Sequence, residues 1–208
     1  MEIKSNYEIQ AEKSKLEFIK WDHIKIAKKF DLEYDENYLY IYFLKQKYRL
    51  NKTTGNIEKT YDEVNYIGAK HNEVMTILDL LSYSKDNLQL SGNWTNVTSL
   101  KGTVQTGSIT NHNDLFLPYA NKFSGRINDL KKACEKLGAK EVKKGDMGYI
   151  IDLFENLPLM VIFYEKDCDF PAEFKILWDE NILDYMHYET TFYAVLHLFD
   201  RIEELIVN

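Results

Sequence analysis

Asp167-Cys168-Asp169 is the one D-x-D in the chain, and its spacing can set two carboxylates side by side, able to share a Ca²⁺ or Mg²⁺. The same three residues also read as an exposed acidic turn, and with fifteen Asp in 208 residues one such spacing is what chance supplies. His187-x-Glu189 is a histidine–carboxylate pairing with ligand-like spacing, but two groups do not make a metal centre. His112 stands alone in a polar stretch and becomes an acid–base group only if the fold brings it a partner. Cys168 has a carboxylate on each side, which disfavours the thiolate and makes it a poor nucleophile. Cys134 falls on the apolar face of a helical segment and reads as a buried structural thiol. Trp94, in Ser91-Gly-Asn-Trp-Thr-Asn96, either anchors a polar loop or lines a ligand surface with the Asn96 amide beside it.

The familiar catalytic spacings are absent. There is no G-x-G-x-x-G, Walker loop, H-E-x-x-H, G-x-S-x-G or C-x-x-C. No catalytic residue, metal set or cofactor is therefore assigned. A net charge of −7, with arginine only at Arg49, Arg126 and Arg201, argues against nucleic acid and against an anionic membrane surface. The Lys28-Lys29 and Lys143-Lys144 pairs sit among acids and read as solvated faces. The first fifteen residues hold no apolar signal core, and no run approaches eighteen apolar residues. With two cysteines expected to stay reduced, this predicts a cytoplasmic protein. The many tyrosines fit a Lys-, Asn- and Ile-rich codon bias before they fit a ligand platform.

These residues must be held by elements that the pattern suggests. Residues 8–30 read as one helix, followed by an acidic linker over 31–37. Tyr38 to Leu44 alternates as a strand, with Tyr38, Tyr40 and Tyr42 opposite Leu39, Ile41 and Phe43. A hairpin follows across residues 52–56, where Gly55 supplies φ > 0. Asn72 is the expected cap of a helix to Tyr83 with Val74, Ile77, Leu78 and Leu81 as its stripe. From Ser84 to Asp114 periodicity vanishes, predicting a long polar loop over 91–114 with room for one or two short strands, since Thr and Val are frequent. A helix over 124–137 ends at Gly138, strands cover 140–143, 149–154, 159–164 and 174–178, and Asp179 caps a short helix to Met186. A last helix opens at Thr190 or Thr191 with Phe192, Val195, Leu196, Phe199, Ile202, Leu205 and Ile206 inward. The expectation is one α+β domain over 1–208, an antiparallel or mixed sheet with helices packed on it.

Four ordered patterns resemble a bacterial and archaeal family, domain of unknown function 3786, from about Tyr38 onward. They are Leu78-Asp-Leu-Leu-Ser-Tyr83 with the Trp94–Leu100 segment; Phe123-Ser-Gly-Arg with Lys136-Leu-Gly138; Gly145-Asp146 with Leu157-Pro158-Leu; and Tyr164 to Pro171 leading to Ile176-Leu-Trp-Asp179 and Glu189. The resemblance falls on Trp94, Asp146, Asp167, Asp169, Phe170, Pro171, Asp179 and Glu189. It implies no established activity. Some relatives carry iron–sulfur segments like those of corrinoid proteins in one-carbon metabolism, and an accessory role there is one alternative, although two cysteines cannot supply such a cluster. The leading expectation is a non-catalytic module that binds a small molecule or a protein partner through Trp94, Asn96, His112, Asp167, Asp169 and Glu189. The alternative is an enzyme using paired carboxylates, with or without Mg²⁺. A third reading makes the Tyr38–Tyr42 strand a packing face for another protein.

Overall fold

A computed structural model describes residues 6–100 and 112–207. In chain order the elements are α1 (Asn6–Phe18), α2 (His23–Phe30), β1 (Tyr38–Phe43), β2 (Gln46–Asn51), β3 (Ile57–Thr60), β4 (Tyr66–Gly68) and α3 (His71–Tyr83). Then come β5 (Trp94–Thr95), α4 (His112–Phe123), α5 (Ile127–Lys136), β6 (Lys140–Glu141), β7 (Met147–Phe154), β8 (Leu157–Tyr164), β9 (Glu173–Asp179) and α6 (Tyr188–Val207). Two antiparallel sheets and six helices make this an α+β fold. Among the described residues, no helix is long and apolar enough to cross a membrane. The chain divides into two compact units, one running to Leu88 and including Leu183–His197, the other comprising Gln89–Ile182 and the residues from Leu198.

The first unit holds the sheet β1-β2-β3-β4. Strict alternation in β1 buries Leu39, Ile41 and Phe43, while Tyr42 is exposed and Arg49 lies against the Tyr38 and Tyr66 rings at 4.6 and 3.6 Å. Leu44 (φ 51) and Lys45 (φ 59) turn β1 into β2 with two left-handed residues, a two-residue hairpin built without the usual Asn-Gly. Gly55 (φ 72) closes the next hairpin, where a Cβ would stand 2.4 Å from the Lys15 carbonyl oxygen. The expected helix over 8–30 is in fact two. Asp22, whose ψ of 90° is non-helical, accepts from Lys25 N at 3.0 Å and starts α2, and His23 Nε2 meets the Phe18 carbonyl at 2.9 Å. α3 buries the expected Val74, Ile77, Leu78 and Leu81, but it begins at His71, because the Glu73 carboxylate takes the Lys70 N–H rather than Asn72 supplying the cap.

That Glu73 side chain is completely buried. Its Oε1 accepts from Tyr48 OH and Lys59 Nζ, each at 2.7 Å, and lies 3.7 Å from His197 Nε2. Burial alone would raise its pKa. The His197 charge and the hydrogen bonds from Lys59, Tyr48 and Lys70 N outweigh that and hold the carboxyl below its ordinary value.

The second unit holds the sheet β5-β9-β8-β7-β6. Central β8 buries Leu157 and Leu159 through Phe163, as a strand covered on both faces must. A register shift between Asp152 and Phe154 lets Pro158 sit within β8 opposite Asp152. α4 packs on β9 and α5 on β7. The segment expected to be an irregular loop over 91–114 contains β5 and a 3-10 turn at Val97–Ser99, and it leads into a helix, α4, that periodicity had not marked. Pro118 lies inside α4, yet Phe116, Ala120 and Phe123 all face the core. α5 starts at Ile127 rather than 124 because Gly125 (φ 77) interrupts the helical run, and Gly138 (φ 70) follows its end as anticipated. Phe199, from the last part of α6, meets Phe116, Tyr119 and Phe174 with ring centroids 4.7–5.6 Å away.

Candidate functional site

The acidic residues singled out in the second unit fasten turns. Asp167 Oδ1 accepts the N–H groups of Asp169 and Phe170, both at 2.8 Å, so the D-x-D is an Asx turn with exposed side chains. Asp146 Oδ2 accepts Glu165 N at 2.8 Å, beside Gly145, where a Cβ would meet Ile162 Cγ2 at 2.6 Å. Asp179 is 4 % exposed and accepts Ser91 N (3.0 Å), Gly92 N (2.8 Å) and Asn181 N (2.9 Å). Burial would raise the Asp179 pKa, and those backbone donors reverse the shift and lower it. Instead of capping a short helix to Met186, Asp179 precedes a 3-10 turn at Ile182–Asp184 and ties the 91–93 segment to the end of β9.

Trp94 is half-buried in β5 opposite Asp179, and Asn96 Oδ1 accepts Thr98 N at 3.1 Å as the cap of the 3-10 turn. His112 opens α4, and its side chain lies outside the described residues. Glu189 is exposed in the first turn of α6, in the first unit, whereas Asp167 and Asp169 belong to the second. Among the described residues, no group of three or more His, Cys, Asp or Glu side chains is arranged to hold a metal ion.

Both cysteines are free thiols, Cys134 buried in α5 and Cys168 exposed on the Asx turn. Burial pushes the Cys134 thiol up to about 12. Iodoacetamide is therefore expected to add once to the native protein, at Cys168, and a second time only after unfolding. Two adducts on the native chain in an intact-mass spectrum would contradict the buried position of Cys134.

Two grooves lie in the first unit, where α1 and α2 face α3. One groove of about 320 Å³ is lined by Trp21, Asp22, Lys25, Ile26, Lys29, Leu81, Ser82, Ser84 and Asp86. A second, of about 280 Å³, is lined by Lys13, Ser14, Glu17, Trp21, Met75, Leu78, Asp79 and Ser82. Trp21 and Ser82 belong to both. The break at Asp22 matters here, because it turns the chain after α1 and leaves Trp21 at the corner, edge-on to Phe18 at 5.4 Å. The Ser84 hydroxyl is buried and has no hydrogen-bond partner among the described residues, a state that costs about 1–3 kcal/mol unless something satisfies it. Lys29 is held at the same end by the Ser84 carbonyl and by Asp86 Oδ1 at 3.6 Å.

Asp79, which lines the second groove, also holds His187. Its Oδ1 takes His187 Nδ1 at 2.6 Å and its Oδ2 takes the His187 backbone N–H at 2.8 Å. The Tyr83 ring lies against that imidazole, tilted by 38° with centroids 3.6 Å apart. In the neutral tautomer that carries its proton on Nδ1, Nε2 is the ring's acceptor. The double attachment to Asp79 equally tethers the start of α6 to α3. Sequence reasoning paired His187 with Glu189 and missed Asp79, whose distance along the chain hides the contact.

A family model described as "Domain of unknown function (DUF3786)" matches residues 22–199. The chain belongs to this family. The DUF3786 match begins earlier than the resemblance at Tyr38 had indicated, so it takes in α2, while Trp21 and α1 precede it. It includes the α3 wall of the grooves, the buried Glu73 cluster, and Asp79 with His187. No curated protein and no solved structure matches this chain.

Proposed function

We propose that this DUF3786 protein is a non-catalytic small-ligand-binding module whose site is the joined groove between α1–α2 and α3. The observation that carries the reading is a groove walled by Trp21, Ile26 and Leu81 and lined also by Ser84, whose buried hydroxyl has no hydrogen-bond partner among the described residues. Small-molecule sites combine an apolar wall with a few polar groups that fix orientation, in volumes of roughly 300–1,000 Å³. The first groove, at about 320 Å³, lies at the lower end of that range, and the second, at about 280 Å³, just below it. The Trp94 segment is a weaker choice, because Asn96 and Asp179 spend their side-chain oxygens on backbone N–H groups.

A thermal-shift screen of fragment-sized molecules tests the proposal. A ligand present at 100 times its Kd adds about 2.7 kcal/mol of stability, an easily read rise in midpoint. The expected result is hits whose stabilisation is lost in Trp21→Phe and Ser84→Ala. Hits that stabilise both variants as well as the wild type would mean that ligands bind elsewhere.

A further inference from the structure

Resting on that groove reading, we infer that the ligand is a zwitterionic α-amino acid with an apolar side chain. The charges lining the larger groove balance: Lys25 and Lys29 against Asp22 and Asp86. They differ in how far they are already used. Lys29 is committed to the Ser84 carbonyl and to Asp86. Asp22 gives Oδ1 to the Lys25 backbone N–H as the cap of α2, which leaves Oδ2 open. Lys25 Nζ has no hydrogen bond or ion pair among the described residues, and the Trp21 indole N–H likewise donates to none. Asp86 is 84 % exposed and loosely held at 3.6 Å.

Each simpler charge type leaves part of this lining unmatched. A monoanion meets Lys25 and the indole N–H but faces two carboxylates. A monocation meets the carboxylates but sets a like charge beside Lys25. A molecule carrying both charges a few bonds apart matches both sets, with carboxylate toward Lys25 and ammonium toward Asp22 and Asp86. Trp21, Ile26 and Leu81 then supply a wall for an aliphatic or aromatic side chain.

The test uses L-phenylalanine and two analogues that each lack one charge, 3-phenylpropanoate and 2-phenylethylamine, titrated calorimetrically into the full chain. L-phenylalanine is expected to bind at least about tenfold more tightly than either analogue, because each analogue loses a charge-assisted hydrogen bond. Lys25→Gln, at an exposed position, is expected to weaken L-phenylalanine by about tenfold while leaving the ligand-free melt unchanged. If either analogue binds as tightly as L-phenylalanine, and Trp21→Phe weakens it, the amino-acid class is overturned while the groove stands. If none of the three binds, the amino-acid class is overturned, and the groove is judged separately by its fragment screen. If L-phenylalanine binds equally to wild type, Lys25→Gln and Trp21→Phe, both the class and the site are wrong.

Discussion

Replacing Glu73 with alanine is expected to cost about 3–5 kcal/mol, the penalty for breaking a buried ion pair from one side. Lys59 is 3 % exposed and donates to Glu73 at 2.7 Å, so the variant withdraws the carboxylate from an ammonium that water does not reach. Tyr48 OH and the Lys70 N–H lose the same acceptor. Urea denaturation at neutral pH reads the loss directly. The pH dependence gives a second, independent sign. A carboxyl whose folded pKa is lowered contributes stability that is fully present above its unfolded value, about 4.3, and is lost as pH falls through the folded one. Glu73→Gln should therefore flatten the acid limb of the stability curve below about pH 4.3. An unchanged acid limb would place the acid sensitivity of this fold elsewhere.

Deleting residues 190–208 should abolish the cooperative melt. In the first unit the cut removes buried Thr191, Ala194, Val195 and His197, and in the second it removes Leu198, Phe199 and Ile202. Val195, Leu198, Phe199 and Ile202 at about 1.5–3 kcal/mol each represent roughly 6–12 kcal/mol, an upper bound because unfolded chains already bury some surface. A whole domain is stable by only about 5–15 kcal/mol. A truncated chain that melts cooperatively near the full-length midpoint would show that α6 is peripheral.

What was legible in the sequence follows from short-range physics. Alternation in Tyr38–Phe43 and the 3–4 spacing of Val74 to Leu81 report which face is buried, and both faces are as anticipated. Gly55 and Gly138 mark left-handed positions that other residues seldom take. The misses share the opposite cause. Leu44 and Lys45 adopt a conformation that their types do not advertise, because the flanking strands impose it. Asp22 divides two helices without any glycine or proline to punctuate them, and Pro118 conceals a helix whose tertiary contacts hold it. The candidate site was hidden for a related reason. The grooves join residues some sixty positions apart, Trp21 with Ser82 and Ser84, and neither end carries a motif. Conversely, the acidic residues that did form visible patterns, Asp146, Asp167 and Asp179, spend their oxygens on backbone N–H groups. Turn chemistry and ligand chemistry draw on the same residue types, and only geometry separates them.

The central claim, that ligands enter the groove at Trp21, can be read from the indole region of a ¹H–¹⁵N spectrum. The chain has three tryptophans, Trp21, Trp94 and Trp178, and so gives three indole N–H signals. Trp178 is buried in the core and serves as the internal reference. On titration with the strongest fragment from the thermal screen, the account predicts that the Trp21 indole signal moves first and furthest. The backbone signals of Ser82 and Ser84 should move with it. Movement confined to the Trp94 indole and the 91–100 backbone, with Trp21 still, would contradict it.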